Sequence, residues 1–245
     1  MDTKESRSLS NNGIKQFIIR IDLLPTDKIS FESFANAVAP HYSGLVKLVV
    51  PHLNINLSSQ EFEQTVVTHY QIKIEEGVDI KMDPVQNCII FESNHYISND
   101  LYKSTMSNLF GIMKSVMGEK RLIAKRIGMR YINYYAVSSK DGIGEILNEA
   151  DNKSLIHSLG KENVNRVIFV EEQKLGDKQV RIQYGVPNNR YPNLISSLDI
   201  LLDIDVYTCT PISVEDWDET LSECNHIAYD NFKKYIKQSY IESLK

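Results

Sequence analysis

Little in this chain of 245 residues announces a reaction. It holds no G-x-G-x-x-G after a strand, no G-x-x-x-x-G-K-[ST], no H-E-x-x-H and no G-x-S-x-G. The common phosphate-cradling loops, the zincin helix and the nucleophile elbow are therefore missing. Cysteine is scarce: Cys88, Cys209 and Cys224 are too few and too far apart for a disulfide framework or a paired-cysteine metal knuckle. They read as reduced core thiols of a cytosolic protein. The six histidines are scattered, none two or four residues from another, so they read as surface or boundary side chains. No catalytic residue, metal or cofactor is called for.

Long apolar runs are lacking too. No window approaches the roughly 20 consecutive apolar residues that a membrane helix needs. Met1 to Asn12 is polar and Ser-rich, without the apolar core of a secretory signal, so the expectation is a cytoplasmic protein with a frayed tail over residues 1–12. An excess of positive charge is missing as well. The formal charge is -5, and both signs run through both halves, so a polyanion partner would have to be met locally.

What is present is ordinary globular material, 42% apolar and 24% charged, enough to bury a core. Phe17 to Leu23 is a β-branched run closed by Pro25. Ser30 is placed to cap a short helix carrying Phe31, Phe34, Ala35 and Val38, which Pro40 stops. Between His41 and Gln60 the pattern is open, with strand character over Leu45 to Val50 and loop character over Pro51 to Ser59. From Val66 the period becomes two. Tyr70, Ile72 and Ile74, then Val78, Ile80 and Met82, then Cys88 to Phe91 predict an antiparallel meander turning at Glu76-Gly77 and Asp83-Pro84. Tyr102, Met106, Leu109, Phe110, Met113 and Val116 form the stripe of a long helix, with Ser98 or Asn99 as cap and Gly118 past its end.

The second half repeats that order. A strand over Leu122 to Val137 precedes a helical stretch from Ile143 to Leu159. Three strands follow, Arg166 to Glu172, Gln179 to Val186 and Ser197 to Tyr207, and then a long helix from Val214 with Trp217, Leu221, Cys224, Ala228, Phe232 and Tyr235 on one face. Ser213 and Asp216 stand in a capping-box relation at its start. The expected fold is α+β: an antiparallel sheet with helices packed on one face, arising by internal duplication. Residues 13–118 would form the first half and residues 119–245 the second, sharing one sheet or core.

Two strands carry the most pointed charges. In Arg126 to Tyr135 the period of two puts Arg126, Gly128 and Arg130 on one face, and Ile127, Met129 and Tyr131 on the other. The glycine between the arginines admits a backbone, a large side chain or a ligand close to the sheet. With Lys120, Arg121 and Lys125 just upstream, this is the strongest local positive feature of the chain. Its counterpart, Leu198 to Val206, sets Asp199, Asp203 and Asp205 opposite an apolar face of Leu198, Ile200, Leu202, Ile204 and Val206. Three same-face aspartates suit a magnesium ion, and the arginines a phosphate or carboxylate. The plainer expectation is that the two charged faces neighbour each other and neutralise as cross-strand pairs.

The strand RIGMRYIN, Arg126 to Asn133, together with LDIDV, Leu202 to Val206, and a terminal helix running to Phe232 and Ile236, resembles a sporadically distributed family of uncharacterised prokaryotic proteins with a RIGLRYIN-like central strand. The similarity covers most of the chain, better after Arg121 than before it. Met129 stands where the family has leucine, and Tyr134-Tyr135 departs from its basic or aliphatic continuation. The resemblance implies mobile-element or phage-defence surroundings and carries no activity.

Two functions follow as expectations. One is a non-enzymatic interaction or sensing module, a subunit of a phage-defence or toxin-related system, binding a partner protein through an open sheet face, with homodimerisation left open. The other is a nucleic-acid or nucleotide-phosphate binder, conceivably a nuclease, working through residues 120–130. The residues marked for binding are Arg126, Gly128, Arg130, Tyr131, Asn133, Asp199, Asp203 and Asp205.

Overall fold

A computed structural model describes residues 13–24, 30–42, 44–56, 61–95, 99–117, 122–161 and 163–243. Among the described residues ten antiparallel strands make one sheet, and six helices accompany it. β1 (Ile14–Leu23) is followed by α1 (Phe31–Val38), then β2 (Gly44–Asn56), β3 (Glu61–Glu75), β4 (Val78–Asp83), β5 (Cys88–Ser93) and α2 (Asn99–Met117). The second half runs β6 (Ile123–Tyr135), α3 (Lys140–Ile146), α4 (Glu149–Leu159), β7 (Val167–Leu175), β8 (Lys178–Val186), β9 (Ile200–Thr208), the short β10 (Ile212–Ser213), α5 (Trp217–Tyr235) and α6 (Gln238–Ser243). The strand order is β2-β3-β4-β5-β1-β6-β9-β8-β7, with β10 pairing the start of β6.

Each half returns the last strand of its meander to its own first strand, β5 to β1 and β9 to β6. β1 and β6 then pair with each other, Ile19 opposite Met129 and Ile21 opposite Ile127. The alternation that makes these residues strands also sorts the sheet. Phe17, Ile19, Ile21 and Leu23 of β1, Ile80 and Met82 of β4, Ile127 and Met129 of β6, and Ile200, Leu202, Ile204 and Val206 of β9 are all buried on the helix side. The long helices contribute Tyr102, Met106, Leu109 and Met113 from α2, and Leu221, Cys224, Ala228 and Tyr235 from α5. Ser30 caps α1, accepting the amide of Ser33, and Phe31, Phe34, Ala35 and Val38 are buried as the helical spacing requires.

Several sequence expectations need correction. The run from Pro51 does not leave the sheet: β2 continues to Asn56, with Pro51 opposite Val66. Proline lacks an amide, and the outermost strand tolerates it where that side faces away from the neighbour. The first meander therefore has four strands against three in the second. The helical stretch Ile143 to Leu159 is two helices, because Leu147 is extended (ψ 147°), its amide bonds back to Ile143, and Asn148 starts the next helix. β9 begins at Ile200 rather than Ser197, and α5 is entered through a 3-10 turn over Val214 to Asp216, where Ser213 accepts the Glu215 amide. Cys88 and Cys224 are buried, but Cys209, just past β9, is exposed. The expected tail over residues 1–12, the stop at Pro25, the cap at Ser98 and the end at Gly118 lie outside the described residues.

Ile127 stands near the centre of the sheet, opposite Ile21 and fully buried. Ile127→Ala is expected to lower stability by about 2–5 kcal/mol through lost contacts and an unfilled cavity, read from urea unfolding with an unchanged m-value.

Candidate functional site

The face of the sheet away from the helices holds the charged residues singled out in the sequence. Register decides what they meet. Arg130 stands opposite Asp205 and Ile132 opposite Asp203 along the β6–β9 ladder, so Arg130 reaches Asp203 diagonally and Arg126 reaches Asp205 over Tyr207. Arg130 closes a two-pronged bridge on Asp203, Nε to Oδ1 at 2.8 Å and Nη2 to Oδ2 at 2.6 Å. Gln183 of β8 donates to the same carboxylate at 3.3 Å. Arg126 grips both oxygens of Asp205 through Nη2, at 3.0 and 2.7 Å. The charge-assisted fork onto Asp203 holds the Arg130 guanidinium proton more tightly than usual. Burial pushes the Asp205 carboxyl above the ordinary carboxylate range, against the pull of Arg126.

Gly128, between the arginines, faces Tyr207. A Cβ built there would stand 2.6 Å from the Tyr207 Cβ, so the space a glycine opens is taken by a tyrosine of the same chain. Arg126 lies over the Tyr207 ring, 3.8 Å from its centroid. The other marked residues separate from this group. Tyr131 and Asn133 are on the helix face, where the Tyr131 hydroxyl donates to Asn225 of α5 at 2.7 Å and the Asn133 amide donates to the Leu202 carbonyl at 3.0 Å. Asp199 precedes β9 and accepts the Ser197 hydroxyl at 3.1 Å, so it does not join Asp203 and Asp205. Lys120 and Arg121 lie outside the described residues, and Lys125 is exposed.

Neutralisation continues across the open face. Arg20 bridges Asp22 at 2.7 Å, Lys81 bridges Glu92 at 2.7 Å, Gln16 donates to Glu92 at 2.7 Å, and Arg181 bridges Glu172 at 3.1 Å. Among the described residues no cluster of three or more His, Cys, Asp or Glu could hold a metal ion. Asp203 and Asp205 serve the arginines instead.

The pattern breaks at one margin. Val46, Leu48 and Val50 of β2 point to the same open face as His69 and Gln71 of β3, and they are 51%, 46% and 38% exposed. On the helix side, beyond the reach of α1, Val49 is 64% and Val66 65% exposed. Lys47 is the only charged side chain of β2, held at 3.0 Å by Glu32 of α1. Sequence reasoning reached Leu45 to Val50 only as a strand of uncertain standing. The run LVKLVV is apolar on both faces, which reads equally well as a buried central strand. Only its position at the end of the sheet turns it into an exposed surface.

The pairing on the open face has a measurable signature. Arg130→Ala and Asp203→Ala should each cost about 3 kcal/mol, because either leaves a partly buried charge without its partner, and the double variant should cost much less than their sum. Chemical denaturation of the four proteins measures that coupling. For Asp205, a folded-state value above the unfolded one means that its contribution is fully present below the ordinary carboxylate range and is lost as pH rises through the raised value. Wild type should therefore lose stability relative to Asp205→Asn as pH climbs from about 4, seen in paired urea titrations.

Comparison of the chain with protein-family models and with curated protein sequences finds no match to either.

Proposed function

We propose that this protein is a non-enzymatic binding module that takes up a partner protein at the β2 margin of its sheet, strand added to strand, with the phage-defence or toxin-related setting that the RIGMRYIN resemblance implies. The observation that carries it is the exposed apolar row Val46, Leu48 and Val50 on an outermost strand. An outer strand presents a row of backbone amides and carbonyls to whatever lies beside it. Proteins ordinarily blunt such edges with charge. β7, the opposite margin, follows that rule with Glu171, Glu172 and Lys174. β2 has only Lys47 and Pro51 to that purpose, set in an otherwise apolar run, and β-strand addition is the recognition mode its exposed row fits.

The similar element order of the two halves supports the same reading. Taking the halves as duplicates, β1, β3, β4 and β5 correspond to β6, β7, β8 and β9, and β2 has no counterpart among the described residues of the second half. A strand that the repeat does not require, placed at the rim and left apolar, is an addition serving something outside the fold. The nucleic-acid alternative keeps less support, since Arg126 and Arg130 already have carboxylate partners.

The test is native mass spectrometry of the protein isolated from its own cell at its own expression level. Wild type should come out in a stoichiometric complex with a protein chain, and Val46→Lys/Val50→Lys as a bare monomer with an unchanged far-UV spectrum. Wild type recovered alone would count against the proposal.

A further inference from the structure

Resting on β2 as a strand-pairing margin, we infer that its partner is β2 of a second copy, antiparallel about a two-fold axis that sets Leu48 opposite Leu48 of the partner subunit. The backbone supplies the first condition. Pro51 keeps its ladder place opposite Val66 without an amide, which marks its parity as the one facing away from β3. Leu45, Lys47 and Val49 share that parity, so their amides and carbonyls line the free edge up to Pro51, which has no amide to give and ends the pairing there.

An isologous contact must be self-complementary, and side chains choose among the registers that a two-fold axis allows. An axis at Lys47 opposes two ammonium groups and is disfavoured. An axis at Val49 sets Lys47 against Pro51, whose missing amide breaks that hydrogen-bonded pair. The axis at Leu48 instead sets Val46 against Val50, Leu48 against Leu48 and Val50 against Val46, and Lys47 falls opposite Val49 with no like charges facing. The row that each chain leaves exposed becomes one apolar strip across the junction, with Val67 of β3, half-buried beside Val50, at its flank.

Charge at the rim points the same way. β2 contains one cation and no acid, so nothing on it repels a copy of itself, and its cation is already held by Glu32. β7 carries two acids and a lysine, which leaves the charged margin outermost in the dimer and closes the assembly at two chains rather than extending it into a filament. The arm gains as well. β3 pairs β4 only as far as Tyr70 opposite Met82, while β2 and β3 stay paired to Asn56 opposite Glu61. Beyond the main sheet the hairpin is a two-stranded ribbon, an arrangement of marginal stability in water. A partner strand laid along β2 gives the base of that ribbon a third strand.

Sedimentation of the recombinant full chain at micromolar concentration should show a dimer of 28.1 kDa chains. Leu48→Lys should weaken it about a hundredfold while the far-UV spectrum stays the same. The register is read by cross-linking in a Cys209→Ser background, which removes the exposed native thiol. Leu48→Cys should oxidise to a covalent dimer. Val46→Cys should not, since its sulfurs would lie several residues apart along the strands. A monomeric wild type overturns the inference, and so does a dimer that cross-links through Val46 but not Leu48. If the recombinant chain is monomeric yet the protein from its own cell carries a different chain that Val46→Lys/Val50→Lys releases, the homodimer fails and the strand-pairing margin stands.

Discussion

The antiparallel seam between β1 and β6 is the contact on which everything else in the molecule is hung. It joins the first strand of each half, Ile19 to Met129 and Ile21 to Ile127, and each meander then extends outward from it. Because side chains alternate strictly, fixing this register fixes which residues of both halves face the helices. A slip of β6 by one residue would bring Arg126 and Arg130 into the core and expel Ile127 and Met129. The hydrophobic penalty for that exchange is far larger than any single surface ion pair returns.

The charged face follows from the same constraint. Once β6 and β9 are in register, Arg126 and Arg130 have Asp205 and Asp203 as neighbours, and the low exposure of Asp203, 5% at its side chain, makes the pairing compulsory. Gly128 and Tyr207 belong to this arrangement: the missing Cβ seats the tyrosine, and the tyrosine gives Arg126 a surface to lie on. A positive stretch that looks like an anion site in one dimension becomes a neutral cross-strand lattice in three. The chemical opportunity moves to the margin, where β2 has apolar side chains and, among the described residues, no further strand beside it.

How far all this was legible depends on range. Period two and period 3.6 are local properties, so the meander strands, the stripe of α2, the cap at Ser30 and the buried row of α5 could be read directly from residue spacing. Breaks set by tertiary contact could not. Leu147 leaves the helix to bridge Ile236 at the end of α5, a partner some ninety positions away, and no local signal announces it. Pro51 looked like a strand stop because the usual cost of proline is a lost ladder bond. That cost vanishes at an edge, and edge position is a property of the whole sheet.

The sequence by itself determined the alternation, the helix faces, the α+β class and the lack of the common catalytic motifs, since each rests on nearest-neighbour chemistry along the chain. It also held both reasonable fates for Arg126, Gly128, Arg130, Asp203 and Asp205, because same-strand spacing says which side chains share a face and nothing about who stands opposite. Tertiary structure decided that, through the β6–β9 register. It also decided that Asp199 lies outside the strand, that Tyr131 and Asn133 serve the helix side, and that LVKLVV is a rim rather than a centre. Strand order is set by pairing between distant segments, and only that order tells a buried apolar strand from an exposed one.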